Sequence, residues 1–367
     1  MIYFCYFLLG FLIIRLLVAF VNYLSFAYLP KLTLLGSTPK VSILIPVRDE
    51  EANIGNLLKQ LAALEYANLE IIVYNDHSAD ETESIIKHWA MSIPALKVIN
   101  GQELLQGWLG KNHACHQLAR ASTGDILLFL DADVSVQKAF VNRSVSHFQK
   151  HELHLLSVFP KQIVKTFGEK VSVPLMNWIL LSLLPLSLIR KSKNEAFSAA
   201  NGQFMMFKAA TYKAIWPHEV CKSQKVEDMA IIKLFKQKDL NCDTRLGDND
   251  ISCRMYLGLD DAVEGFTKNI FQFFGNSIAA TISFGVLTTL APIILYYNMA
   301  ADWAALYLLG IIAIRVFTSL ASQQSVVQNL LLAVPQHLVF LVIITQGLIN
   351  SKQKKIIWKG RNILQDS

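Results

Sequence analysis

Four long apolar stretches restrict this chain more than any other feature. Residues Met1 to Leu29 carry a single charge, Arg15, and three further apolar stretches lie between Ile278 and Ile349. Each approaches the ~20 residues that a helix needs to cross a bilayer, where only helices and closed barrels keep every backbone polar group bonded. The sequence therefore predicts a multi-pass cell-membrane protein, with a transmembrane anchor at residues 1–29 and a membrane region at residues 276–350. The first stretch has no basic leader and no small-residue cleavage site, which predicts a retained anchor and not a signal peptide. These stretches explain a composition of 53% hydrophobic and only 17% charged residues.

The formal charge of +6 comes partly from Lys352, Lys354, Lys355, Lys359 and Arg361, crowded behind the last apolar stretch. A basic run beside a membrane predicts a cytoplasmic tail at residues 351–367. No basic face interleaved with aromatics occurs in the polar half, so no nucleic-acid partner is expected. If the polar half is also cytoplasmic, three full spans after Phe274 would leave this tail outside. One C-terminal segment is therefore expected to lie in-plane or re-enter, with Arg315 and Pro335 marking the interrupted candidates. Cys5, Cys115, Cys221, Cys242 and Cys253 show no CxxC spacing, which suggests a reducing compartment and no zinc site.

Between the anchors the chain alternates strand and helix patterns. Val41 to Ile45 reads as a strand stopped by Pro46. Asp49 is placed to cap a following helix with the apolar stripe Ile54, Leu57, Leu58 and Leu61. Leu69 to Tyr74 and Leu96 to Ile99 read as further strands, and Asp80 with Glu83 as a capping box for a helix through Trp89. No GxGxxG turn follows the first strand, which argues against a dinucleotide fold. Val171 to Ile189 is apolar but interrupted by Pro174 and Pro185. A span there would separate the acidic residues described next, so the segment is expected at the interface or buried in the fold.

Three places carry chemistry. The run Gly124 to Leu130 reads as a buried central strand delivering Asp131 and Asp133 to a sheet edge; positions two apart in an extended segment face the same way and can share one divalent cation. The same pattern also suits turn carboxylates that only cap a helix. Gly107 to Ala114 leads into a helix running to about Ala121, where Lys111 can meet a diphosphate, or serve simply as a surface lysine. Lys225 to Phe235 reads as a helix opening with Glu227 and Asp228. Its dipole would keep Asp228 ionised as a proton acceptor, and first-turn acids that merely stabilise a helix are the plainer alternative.

Taken in order, Ile45 to Glu51, Tyr74 to Thr82, Gly110 to Ala114, Ser122 to Asp133, and Glu227-Asp228 resemble a family 2 glycosyltransferase with the GT-A fold, an α/β catalytic domain on a mostly parallel, Rossmann-like sheet. The resemblance covers about Lys40 to Phe274, predicting a catalytic domain at residues 36–275. Gly110 to His116, Phe197 to Phe207, Cys253 to Tyr256 and Glu264 to Lys268 resemble membrane-anchored lipid glycosyltransferases, the bacterial carotenoid, staphyloxanthin-type enzymes in particular. Trp358 to Arg361 resembles the end of ceramide-glucosyltransferase-like proteins. The Gln-x-x-Arg-Trp signature of polymer-forming relatives is reduced to Arg254 within Ile251 to Met255.

The resemblance implies roles residue by residue. Asp76 would bind the uracil or its ribose of a UDP-sugar, with Pro46, Arg48 and Glu50 shaping the nucleotide pocket. Asp131 and Asp133 would hold Mg²⁺ or Mn²⁺ against the diphosphate, helped by Lys111. Asp228 would take the proton from an acceptor attacking the anomeric carbon with inversion, and Arg254 would lie near the diphosphate or the acceptor. The acceptor is expected to be a lipid in the bilayer, met by a cytoplasmic catalytic domain floated on the membrane by Val171 to Ile189 and by Phe266, Phe271, Phe273 and Phe274. A processive polysaccharide synthase and a non-catalytic sugar-nucleotide-binding membrane protein are the alternatives.

Overall fold

The computed structural model describes residues 1–25, 27–30, 38–353, 357–358 and 361–362. Most of the linker expected from Lys31 to Lys40, and Lys354, Lys355 and Lys359 of the expected basic tail, lie outside the described residues. The chain divides into two compact units. A helical unit holds Met1–Ala27, Gln162–Ser187 and Met255–Lys355; a sheet unit holds Tyr28–Lys161, Leu188–Arg254 and Ile356–Ser367. Within the expected block 36–275, segments 162–187 and 255–275 thus group with the long apolar helices.

In chain order, α1 (Ile2–Leu24) precedes an alternation of β1 (Val41–Val47), α2 (Ile54–Leu61), β2 (Leu69–Asn75), α3 (Thr82–Ala90), β3 (Leu96–Asn100), α4 (Gly110–Ala121) and β4 (Ile126–Leu130). Next come β5 (Val134–Val136), α5 (Phe140–Lys150), β6 (Leu155–Phe159), the short β7 (Lys161–Gln162), α6 (Phe167–Ser172), α7 (Pro174–Leu183) and α8 (Ser187–Lys191). The sheet unit continues with β8 (Phe204–Lys208), α9 (Ala209–Ile215), α10 (Pro217–Val220), α11 (Glu227–Gln237), β9 (Cys242–Leu246) and β10 (Ile251–Cys253). Helices α12 (Leu259–Asn269), α13 (Ile278–Asn298), α14 (Ala301–Ala321), α15 (Val326–Leu331) and α16 (Ala333–Gln353) follow.

The main sheet has the order β3-β2-β1-β4-β8-β6-β9. β1 runs parallel to β2 and β4, β2 to β3 and β6 to β9, while β8 alone is reversed against β4 and β6. All five residues of β4 are buried, as an unbroken apolar run in a strand covered on both faces requires. The stripe Ile54, Leu57, Leu58 and Leu61 of α2 is buried in a core with Ile43, Ile45, Val73 and Leu128. Each such side chain contributes about 1.5–3 kcal/mol by leaving water.

Two local expectations fail for identifiable reasons. Pro46 does not stop β1, which continues to Val47. Pairing with β4 ends at Leu44 opposite Phe129, so a residue without an N–H loses no ladder bond on that side. Asp49 does not cap α2, whose N-cap is Asn53 without a side-chain bond. Its backbone turns left-handed at φ 51° and its Oδ1 accepts from Ala79 N at 2.8 Å instead.

Among the described residues of the helical unit, four helices are long and apolar enough to cross a membrane: Ile2–Leu24, Ile278–Asn298, Ala301–Ala321 and Ala333–Ser351. The helices carrying Arg315 and Pro335 are both full length, and the short element between them is α15. Pro335 sits in the first turn of α16, where no intrahelical N–H bond is lost. The segment from Val171 is broken into short helices rather than one span. Leu184, held extended before Pro185, ends α7. Val171, Leu175, Trp178, Ile179 and Leu181 are buried. Asn22 of α1 stitches this break closed: its Nδ2 donates to Leu181 O at 2.9 Å and Leu184 O at 2.8 Å, and its Oδ1 accepts from Leu186 N at 2.8 Å. Of the aromatics expected to float on the membrane, Phe266 is buried against Tyr256 and Phe274 packs on Phe284.

Candidate active site

The adjacent parallel strands β2, β1 and β4 bring their carboxyl ends to one edge of the sheet, where open α/β sheets place their ligands. Val47 pairs with Asn75, so Arg48 and Asp76 leave the sheet side by side just beyond Pro46. Asp76 N donates to Val47 O at 2.8 Å, and Arg48 Nη1 donates to Asp76 O at 3.1 Å and to its Oδ2 at 3.4 Å. The turns after the two strands are zipped together. Glu50 N donates to Thr82 Oγ1 at 2.7 Å, Glu51 N to Asp80 Oδ2 at 3.0 Å and Glu81 N to Glu51 Oε2 at 3.0 Å. Asp80 Oδ1 also accepts from Thr82 N, although Glu81 is the N-cap of α3. The Glu50 carboxylate is itself held by Asn53 Nδ2 at 2.8 Å.

Beyond β4 the chain turns rather than extends, with Val134 N donating to Asp131 O at 3.2 Å. The alternation that would aim Asp131 and Asp133 the same way therefore does not apply, and the two carboxylates take different partners. Asp131 Oδ2 accepts from Lys111 Nζ at 2.8 Å. Asp133 Oδ2 accepts from Gln203 Nε2 at 2.9 Å and from Cys253 Sγ at 3.3 Å. Asp133 Oδ1 and Gln203 Oε1 are buried with no hydrogen-bond partner among the described residues. Burial, reinforced by Asp131, pushes the Asp133 carboxyl up to about 6. Cys253 pairs with Val134 across β10 and β5, so the backbone of Arg254 follows directly beside this turn.

The reversal of β8 supplies the opposite wall. Leu130 pairs with Phe204, so Asn201-Gly202-Gln203 arrives at the carboxyl end of β4, and Asp131 N donates to Gln203 O at 3.1 Å. Gly202 N donates to Asp228 Oδ2 at 2.8 Å, while Met229 N donates to Asp228 Oδ1 at 2.7 Å. A side chain at Gly202 would meet Lys111 Nζ at 3.1 Å and Glu227 Oε1 at 3.2 Å. Glycine is what lets these charges close on the backbone.

Lys111, in the first turn of α4, lies 3.3 Å from Glu227 Oε1. Burial works to discharge its ammonium, but Asp131 and Glu227 outweigh burial and hold its pKa well above the ordinary lysine value. The first turn of α4 is tied to the chain leading into α11 through Asn112, whose Nδ2 donates to Cys221 O, Lys222 O and Gln224 O at 2.9–3.1 Å. Burial first, then Glu227, push the Asp228 carboxyl up to about 7 against the opposing pull of Lys111 and two backbone N–H groups, so its ionisation answers to more than the helix dipole.

Sequence reasoning thus located both ends of the constellation and missed its middle. Gly202, Gln203 and Cys253 carried no assigned role, and Glu227 was read only with Asp228. The small polar run Asn201-Gly202-Gln203 ahead of an apolar strand was the available signal. As a metal site, the edge offers hard oxygen donors: the Asp131 carboxylate, the orphaned Asp133 Oδ1 and the orphaned Gln203 Oε1. Among the described residues no three His, Cys, Asp or Glu side chains are arranged as a ready-made metal-ligand set. The donor set suits a Mg²⁺-like cation that takes one or two carboxylates and completes its shell with phosphate and water.

The sheet unit is an α/β domain with one reversed strand in an otherwise parallel sheet and acids gathered at the carboxyl ends of its strands. Residues 42–216 match the model of Glycosyl transferase family 2. The chain is 28% identical over 237 residues to the 4,4'-diaponeurosporenoate glycosyltransferase of Staphylococcus haemolyticus (strain JCSC1435), covering 64% of this chain and 62% of that protein. It is 28% identical over 235 residues to the enzyme of the same name from Staphylococcus aureus (strain USA300), covering 63% and 60%. The match thus spans less than two thirds of these relatives' length. Among solved structures, the mannosyltransferase PcManGT from Pyrobaculum calidifontis, in complex with GDP-Man and Mn²⁺, aligns with a TM-score of 0.57 at 16% identity, over 95% of this chain and 97% of that one. Residues 42–216 are thus similar to family 2 glycosyltransferases, and the chain shares its GT-A fold with this mannosyltransferase.

Proposed function

We propose that this protein is a membrane-bound inverting glycosyltransferase that moves a sugar from a UDP-sugar to a lipid acceptor of carotenoid- or ceramide-like kind. One observation carries the reading: Asp131, Asp133, Lys111, Glu227 and Asp228 are gathered around Gly202 and Gln203, at the sheet edge that also holds Asp76 and Arg48. The relatives named for 4,4'-diaponeurosporenoate and the four apolar helices support an acceptor dissolved in the bilayer. In this reading the helical unit is the membrane part of a multi-pass cell-membrane protein, and the sheet unit is its cytoplasmic catalytic part.

Asp76, Arg48, Pro46 and Glu50 bind the nucleoside. Asp131 and Asp133 are the residues that would hold Mg²⁺ or Mn²⁺, which supplies positive charge against the departing diphosphate. Lys111 adds a second cation on the same side, and Arg254 attends the diphosphate or the acceptor. An acceptor oxygen bonds to the anomeric carbon as the bond to the UDP oxygen breaks, and Asp228 takes the acceptor's proton. A base poised near 7 is well matched to that transfer at neutral pH.

The test is transfer of labelled sugar from a panel of UDP- and GDP-sugars in membranes containing the protein, followed by partition between organic solvent and water. Label should enter the organic phase. Asp228→Asn should lower turnover by about 10²–10⁴-fold while leaving donor binding intact. Asp133→Ala should abolish transfer and also weaken metal-dependent UDP binding. Near-normal transfer in either variant removes its assigned role. Label in water-soluble polymer would favour a polysaccharide synthase, and no transfer with any donor would favour a non-catalytic sugar-nucleotide-binding protein.

A further inference from the structure

The helical unit contains a polar cavity lined by Trp178 of α7, Arg315 of α14 and, around α15, Gln324, Asn329 and Gln336. Its interior admits about one oxygen-sized atom. Arg315 is 95% buried by its 5% exposure and makes no ion pair among the described residues. Its guanidinium donates only to neutral oxygens: Gln336 Oε1, Asn329 O and Ala333 O. The amide oxygens of Gln336, Asn329 and Gln324 each already accept a hydrogen bond. Gln336 Nε2 donates to Asn329 Oδ1 at 2.9 Å, and Asn329 Nδ2 donates to Gln324 Oε1 at 3.3 Å. What the cavity leaves unfilled are two donors, Trp178 Nε1 and Gln324 Nε2, both buried without an acceptor among the described residues.

A second cation deepens the imbalance. Arg15 of α1 is 2% exposed, and its guanidinium lies 4.9 Å from the centre of the Trp178 ring while that of Arg315 lies 5.5 Å from it. The Arg15 side chain bonds only to Ser182 Oγ and likewise meets no carboxylate among the described residues. Two arginines beside one indole, in helices of membrane-spanning length, make a region of positive charge that meets aromatic rings and no carboxylate among the described residues. Charged groups inside a membrane are expensive, and ordinarily have a partner. Two donors without acceptors and two guanidinium groups without a carboxylate among the described residues call for the same missing group, an anionic oxygen.

We infer that this cavity receives an acidic oxygen of a bilayer lipid, a phosphate or carboxylate oxygen seated between Arg315, Trp178 Nε1 and Gln324 Nε2. The inference rests on the membrane placement proposed above and not on the sugar chemistry.

The test titrates the purified full-length protein in detergent with phosphatidic acid, oleic acid, phosphatidylcholine and inorganic phosphate, read by native mass spectrometry. At least one of the two acidic lipids should bind one-to-one and about tenfold or more tighter than phosphatidylcholine. Trp178→Phe keeps an aromatic ring while removing the N–H donor along with the pyrrole half of the indole, and should weaken that binding about tenfold. Arg315→Gln should abolish it and Arg315→Lys should restore part of it, with lipid-free unfolding temperatures checked for each. If Arg315→Gln does not fold, Trp178→Phe decides. Equal binding of phosphatidylcholine, or no response to Trp178→Phe, overturns the site; inorganic phosphate binding as tightly as either lipid overturns its assignment to a lipid. Sugar transfer on the same wild-type sample separates the two readings. Transfer without acidic-lipid binding sinks this inference alone, and acidic-lipid binding without transfer sinks the catalytic reading alone.

Discussion

Asp228 is the residue on which the proposed chemistry turns, and its protonation sets a measurable pH dependence. It serves as a base only when ionised, and burial beside Glu227 raises its pKa to about 7. Below that pH the ionised fraction falls tenfold per unit, so kcat/KM for sugar transfer should fall about tenfold per unit below pH 7 and level off above it. An acid limb centred near 4 would show that the base is an ordinary exposed carboxylate and not Asp228. Gly202 acts at the same scale through the side chain it lacks. In Gly202→Ala the new methyl would press on Lys111 Nζ and Glu227 Oε1. Transfer should drop about tenfold, equivalent to ~1.4 kcal/mol, with the unfolding temperature nearly unchanged. A large fall in unfolding temperature would instead mark Gly202 as a folding requirement.

At the scale of elements, each unit is held by an asparagine that binds several backbone groups at once. Asn112 sets the first turn of α4 against the chain leading into α11, which fixes Lys111 relative to Glu227. Asn22 does the corresponding work between α1 and the Pro185 break after α7. Asn22→Leu would leave Leu181 O, Leu184 O and Leu186 N without that partner. A buried polar group stranded in this way costs about 1–3 kcal/mol. The variant should unfold at lower temperature in detergent and exchange its amide protons around residues 181–186 faster than the wild type. Unchanged exchange there would mean that water or lipid takes the place of Asn22.

At the scale of the whole molecule, the two units are interleaved along the chain. Helices α6, α7 and α12 find their packing partners among α1, α14 and α16. A fragment of residues 36–275 should therefore expose the apolar faces of α7 and α12 and remain aggregated or dependent on detergent, whereas the full chain should resist alkaline extraction from membranes. A monodisperse, detergent-free fragment would show that these segments find other cover.

What the sequence alone determined followed from local pattern. Unbroken apolar runs predicted the long helices, a buried run predicted β4, and helical periodicity predicted the stripe of α2, because burial and backbone bonding act on consecutive residues. Acids at strand ends pointed to the edge where Asp76 and Asp131 lie for the same reason. The tertiary structure alone decided what depends on residues far apart in the chain. It carried β1 through Pro46 where no ladder bond was needed, redirected Asp49 to a neighbouring turn, and gave Asp131 and Asp133 different hydrogen-bond partners. Above all, the reversal of β8 brought Gln203 to Asp131 and Gly202 to Asp228, across 72 and 26 positions of sequence. Charge and burial there raised Asp228 to about 7, since a pKa answers to neighbours in space.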